Sequence, residues 1–197
     1  MESLSIKKLA DLDASGRDQA VEIFTDAFLR SLQFMSKDQT RLTRALRHAF
    51  VGDQFYTAVE NGKVLGIFAY STNLARAFSF DKQVFQKEFG RIKGSLIYKV
   101  LHGELGKPLD FNDRQCYFES VATAREARGR GIATLLNNHL IAELDYDEFI
   151  LEVVDTNTSA YRLYEKLGYT EIKRKKQRLF PKLAGFNERI YMKRGKG

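Results

Sequence analysis

The chain has 197 residues, 44% of them hydrophobic and 29% charged, with no repetitive or Pro/Ser-rich tract. That composition predicts a single domain over residues 1–197 and excludes disordered, collagen-like and other low-complexity classes; the lone Cys116 excludes an intramolecular disulfide or a multi-cysteine metal cluster and suits a reducing, cytoplasmic setting. A formal charge of +7 asks for an acidic partner, whereas the mixed charges of the first residues and the lack of a long apolar run argue against a signal peptide or membrane span.

Leu4 to Leu9 is the first strand candidate. A helix follows, in which Ala20, Ile23, Phe24, Ala27 and Phe28 recur at helical spacing, and a second is predicted from Lys37 to Phe50. The apolar linker between them, Arg30 to Lys37, reads as packing rather than a lid. Phe55–Val59 and Val64–Tyr70 are β-branched and aromatic runs with Asn61-Gly62 between them, a hairpin signal. Residues 72–113 read as helical. Phe80, Val84, Phe85 and Phe89 form one apolar stripe, and Ile92, Leu96, Ile97, Val100 and Leu101 another; each helix is expected to bury one face.

Strand character returns from Gln115 to Thr123, followed by a charged, glycine-bearing turn and a helix from Gly131 to about Leu144. The strand Phe149–Val154 leads to Asp155–Thr158, whose side chains suit a helix N-cap, and the next helix stops at Gly168. Tyr169–Arg174 and Glu188–Lys193 finish as strands, with Pro181 and Gly185 in the loop between them. Residues 171–197 carry a local +8, so the rest of the chain sums to −1. The strand-helix-strand-helix-strand run implies at least one parallel pair within a mixed α/β sheet.

The densest chemical signal is Arg128-Gly129-Arg130-Gly131-Ile132-Ala133-Thr134, between a strand and a helix. Glycines permit positive φ and a close approach of backbone N–H groups, and the free amides of a helix start suit a phosphate or pyrophosphate. A dinucleotide fingerprint begun at Gly129 needs Gly or Ala where Thr134 stands, and no Gly-Lys-Ser/Thr ending supports a P-loop. Taken alone, the two glycines serve equally as a tight turn with solvated arginines.

One strand later comes Asn157-Thr-Ser-Ala160-Tyr161-Arg-Leu163-Tyr164-Glu-Lys166-Leu167-Gly168-Tyr169. With this segment the sequence resembles the GNAT acetyltransferase superfamily, whose Q/R-x-x-G-x-G/A loop is met by Arg128, Gly131 and Ala133. The close match covers roughly residues 115–177. The resemblance implies an α/β (α+β) fold with a mixed, mostly antiparallel central sheet flanked by helices on both faces. The helical insertion at about 72–113 departs from it. It also implies an acetyl-CoA-dependent N-acetyltransferase that acts on a primary amine of a small molecule or peptide. Val121, Ala122 and Thr123 would offer backbone groups to the pantetheine arm, residues 128–134 would wrap the pyrophosphate, and Asn157 would bond the pantetheine past a small Ala160. Lys166 reads as an acidic-group contact or a surface ion pair.

Acetyl transfer needs a base for the acceptor ammonium, stabilisation of the carbonyl oxygen and a proton for the departing thiolate. Strand alternation sets Tyr117, Glu119, Val121 and Thr123 on one face, making Glu119 the candidate base; its alternative is a cross-strand charge partner on an exposed face. Tyr164 is the candidate acid by resemblance, and it also belongs to the core stripe Ala160, Leu163, Tyr164 and Leu167. Cys116 reads as a small hydrophobe, and His48, His102 and His139 have no metal-like spacing, so no metal site is expected. Two other readings stay in view: a catalytically silent acyl-CoA sensor, and a nucleic-acid binder using the basic C-terminal region. The latter lacks a recognised RNA motif or a regular basic-aromatic interleave. The acceptor is not legible, and the oligomeric state stays open, a homodimer being common among similar proteins.

Overall fold

The computed structural model describes residues 3–177 and 185–196. Its centre is a seven-stranded sheet of order β1-β2-β3-β4-β5-β7-β6. The strands are β1 (Ser5–Lys8), β2 (Phe55–Glu60), β3 (Lys63–Ser71), β4 (Gln115–Thr123), β5 (Glu148–Val154), β6 (Thr170–Lys176) and β7 (Glu188–Gly195). Every neighbouring pair is antiparallel except β4 with β5. The helices are α1 (Ala14–Ala27), α2 (Leu29–Leu32), α3 (Gln39–Leu46), α4 (Lys82–Phe89), α5 (Arg91–Leu101), α6 (Ile132–Glu143) and α7 (Thr158–Lys166).

Local chemistry explains most boundaries. Asp13, Asp38, Asp81 and Asn157 accept backbone N–H groups at the starts of α1, α3, α4 and α7. Asn61 and Gly62 take φ of 50° and 74°, the left-handed pair that a two-residue hairpin requires. Successive residues of β2 mark the two faces of the sheet. Phe55 joins Phe50 and Phe78, both in ring contact with Phe24 of α1, whereas Tyr56 meets His139 of α6. Helices thus cover both faces. On the α6 side, Phe68, Phe118 and Phe149 touch ring to ring across β3, β4 and β5, with centroids 4.9 and 5.0 Å apart. Burying each contributes roughly 2–3 kcal/mol. At Gly66 an added Cβ would lie 2.7 Å from Ile132 Cγ2, so glycine lets α6 close on β3.

The sequence reading holds for the succession of strands along the chain and for the packed linker, and fails in detail at three places. Helix α3 ends at Leu46 and continues as a 3-10 turn over Arg47–Ala49, short of the predicted run to Phe50. The linker packs as expected, through the buried Leu32 and Met35, and contains the short α2. The 72–113 segment is helical only in α4, α5 and the π-turn His102–Gly106 that extends α5. Finally, the second apolar stripe is split: Ile97 and Leu101 are buried, while Ile92, Leu96 and Val100 are 89%, 61% and 40% exposed. Gly94 explains the rotation. An added Cβ there would lie 2.3 Å from the Phe85 carbonyl oxygen, so the Gly94, Ile97 and Leu101 side of α5 is pressed against α4.

Part of the charge in the basic C-terminal region is paired. Arg174 pairs with Glu171 and Glu188, Arg189 with Glu152 and Lys193 with Glu148, and Arg194 donates to the Leu167 carbonyl at the end of α7. Strand β6, at the end of the sheet, has all seven residues exposed. Pro181, predicted in the loop before Gly185, lies outside the described residues.

Candidate active site at the sheet fork

The parallel ladder between β4 and β5 joins Gln115–Phe118 to Glu148–Leu151 and ends there, although β4 runs on to Thr123 and β5 to Val154. The two strands therefore part at the centre of the sheet, on the edge of β4 formed by Val121, Ala122 and Thr123. Just past the last pair, β4 bulges. Ser120 has φ of 55°, and Ser120 and Val121 together stand opposite Phe68 of β3. The extra residue reverses the alternation. Ala122 pairs with Ile67 and shares the face of Glu119, while Thr123 pairs with Gly66 on the α6 side. The expectation that Glu119, Val121 and Thr123 share one face is thereby corrected; no sequence period registers a one-residue insertion.

The glycine turn forms as its residues suggest. Gly129 and Gly131 have φ of 78° and 75°, with open space where a Cβ would stand. Helix α6 begins at Ile132 without a side-chain cap, and its first backbone bond runs from the Leu135 N–H to the Gly131 carbonyl. The amides of Ile132, Ala133 and Thr134 are left as an anion-seeking group at a helix start. Arg128 and Arg130 are not simply solvated. Arg130 bonds Glu60 at 2.7 Å, and Arg128 stands 3.9 Å from Asp26, whose carboxyl is held below its usual range chiefly by its bond to Arg125.

Glu119 is buried, at 8% exposure, which removes the exposed cross-strand alternative. Ser71 Oγ donates to its carboxylate, and Arg76 Nη2 lies 3.4 Å away. Desolvation raises its pKa above the ordinary carboxylate value against the pull of Arg76 and Ser71, and the neighbouring Glu152 pushes the same way as burial. Glu152 was missed from the sequence. The pairing of Phe118 with Leu151 puts Glu119 and Glu152 next in line on adjacent strands, both at the fork. The signal for it was a lone carboxylate inside the apolar run Phe149–Val154. Arg189 Nη1 bonds Glu152 at 3.0 Å and Nη2 lies 3.4 Å from Glu104 of the π-turn, so the end of the insertion reaches this group.

On the other side, Tyr164 is buried in α7 with its ring 5.6 Å from that of Tyr169. Tyr169 donates to the buried Asn137 of α6 at 2.8 Å, whereas the Tyr164 hydroxyl makes no hydrogen bond to the described residues. Burial pushes the Tyr164 phenol well above its ordinary value. Asn157 Oδ1 caps α7 through the Ala160 N–H at 3.2 Å, which leaves its amide nitrogen for any ligand contact; Ala160 is half-buried and Lys166 exposed. Cys116 is fully buried, and desolvation drives its thiol upward, away from nucleophile chemistry. Among the described residues no His, Cys, Asp or Glu cluster could hold a metal, and no helix is long and apolar enough to cross a membrane.

A mixed sheet that forks at its parallel pair, beside the uncapped start of a helix, defines one class of α/β fold. The profile of the Acetyltransferase (GNAT) family matches residues 18–169, and the chain belongs to that family. Solved structures agree in fold. An acetyltransferase of the GNAT family from Bacillus cereus ATCC 10987 superposes with a TM-score of 0.60 at 12% identity, over 100% of this chain and 99% of that one. An N-acetyltransferase from Staphylococcus aureus Mu50 gives 0.61 at 17%, over 96% and 100%. The ribosomal-protein-S18-alanine N-acetyltransferase from Escherichia coli gives 0.58 at 16%, over 99% and 95%. No curated protein matches the chain significantly.

Proposed function

We propose that this chain is a single-domain N-acetyltransferase that moves an acetyl group from acetyl-CoA directly to a primary amine. The observation that carries the reading is the fork. It opens beside the uncapped start of α6, with a buried carboxylate on β4 and an unpartnered buried phenol on α7. The amides of residues 131–134 and Arg128 suit the pyrophosphate, the free edge of Val121–Thr123 suits the pantetheine arm, and the Asn157 amide nitrogen remains available to it. When bound, acetyl-CoA supplies the activated thioester that the amine attacks.

Glu119 takes the proton of the acceptor ammonium, directly or through water. A lysine-type amine has a pKa near 10.4, so at neutral pH such removal is required. Tyr164 stays protonated because its phenol is raised, and a coenzyme thiol is much more acidic, with a pKa of about 8.5. The phenol would therefore act chiefly as a hydrogen-bond donor to the sulfur as charge develops there, while the second proton lost by the amine nitrogen after attack would pass to the sulfur, so that CoA leaves as the thiol. An amine panel assayed by release of free CoA tests the activity; no release with any amine, despite thermal stabilisation by acetyl-CoA, would point to a silent sensor.

Glu119→Gln carries the pH test. The wild-type advantage is expected to be largest between the raised Glu119 pKa, below which the base is protonated, and neutral pH. It should shrink as the pH approaches the acceptor's own pKa, where free amine needs no base. A wild-type to variant rate ratio that is flat with pH would remove Glu119 as the base.

A further inference from the structure

The insertion between β3 and β4 has no place in the chemistry above, yet one of its side chains reaches Glu119. The segment leaves β3 at Ser71 and returns to β4 at Gln115, and Asn73 Nδ2 donates to Asp113 Oδ1 at 2.6 Å across its neck. Thr72 makes the turn that follows. Its N–H donates to the Ala75 carbonyl at 2.7 Å, and its Oγ1 accepts from the amides of Leu74 and Ala75, both at 3.1 Å. That turn sends Arg76 back toward the sheet, where its side chain is 10% exposed. Nη2 lies 3.4 and 3.5 Å from the two carboxylate oxygens of Glu119, and Nη1 donates to the Lys107 carbonyl at 2.7 Å. One guanidinium thus fastens the start and the end of the insertion to the buried carboxylate.

Glu119 is the one acidic side chain in the buried set of described residues. A carboxylate taken out of water gains a proton unless a counter-charge holds it ionised. The titratable groups that act on Glu119 are Arg76 from the insertion, Glu152 from β5, and Tyr117 and Cys116 from its own strand; Ser71 of β3 adds a hydrogen bond. Arg76 is the cation of this set. Glu152 has a guanidinium of its own in Arg189, so the two adjacent carboxylates at the fork are balanced separately.

We propose, resting on the reading of Glu119 as base, that Arg76 is its positioning residue: the 72–113 insertion acts at the site by delivering a guanidinium that orients the Glu119 carboxylate and balances its charge. The test needs no acceptor. The full chain, labelled with 13C at its glutamate carboxyl carbons, is titrated by NMR, and the Glu119 signal is assigned by its loss in Glu119→Gln. Arg76→Gln is expected to raise the Glu119 midpoint by about one to three pH units, and Arg76→Lys to restore part of that shift. A midpoint unchanged in Arg76→Gln overturns the proposal.

Thermal melts give a second measurement that stands if the single variant folds poorly. Arg76→Gln is expected to lower the melting temperature markedly in the parent and much less in a Glu119→Gln background, where no buried charge is left unbalanced. Equal losses in both backgrounds would mean that Arg76 only ties down Lys107, and would also overturn the proposal. The rate profile of Glu119→Gln is separate: it alone decides the base, while the NMR midpoint and the melts decide Arg76.

Discussion

Tyr164→Phe is expected to lower turnover roughly a hundredfold and to leave acetyl-CoA affinity and thermal stability close to those of the parent. The phenol ring is buried against Tyr169, and phenylalanine keeps that packing, while the hydroxyl it removes bonds no described residue. The change therefore deletes one donor and little else. Steady-state CoA release with an accepted amine, beside calorimetry with acetyl-CoA, checks the split; parent-like turnover would strip Tyr164 of its role. Tyr169→Phe is the contrasting control. It removes the bond to the fully buried Asn137 and leaves that residue's Oδ1 without its donor, so it is expected to cost about 1–3 kcal/mol of stability without a specific fall in turnover of the folded protein.

Gly131→Glu is the second large effect. Acetyl-CoA affinity is expected to fall at least about a hundredfold, which corresponds to roughly 2.7 kcal/mol. The substitution sets a carboxylate beside the amides at the α6 start and thereby repels the phosphates they suit. Nothing lies within 4 Å of a Cβ at this position, so no clash confuses the result. The left-handed φ of 75° does impose strain of about 1–2 kcal/mol on any side chain. Gly131→Ala carries that strain without the charge and should bind acetyl-CoA nearly as the parent does. Calorimetry on the pair separates the two contributions, and parent-like binding by Gly131→Glu would remove this turn from the pyrophosphate site.

How far the sequence alone reaches depends on the range of the interaction concerned. Asn61-Gly62, the Asn157 cap of α7 and the glycine turn act within a few residues, and each stands where its chemistry indicated. Tyr164 and Glu119 were legible as residue types in a recognisable segment, and both are buried. The bulge at Ser120 was not legible, because a single extra residue leaves hydrophobic periodicity almost unchanged while turning Thr123 to the other face. Glu152 and Arg76 lay hidden for another reason. One depends on the register between parallel strands, the other on a turn that brings a residue 43 positions away onto Glu119. The exposure of Ile92 and Leu96 followed from Gly94, whose lack of a side chain set the contact face of α5.

The outermost strand has a consequence for assembly. Among the described residues the sheet stops at β6, and an open edge of this kind invites chains to stack into longer sheets. Here it is studded with Lys173, Lys175 and Lys176 among exposed neighbours. Two copies approaching edge to edge would have to crowd ammonium against ammonium. The positive charge that began as a request for an acidic partner is, on this strand, a fence: like charges along an open edge weigh against edge-to-edge pairing.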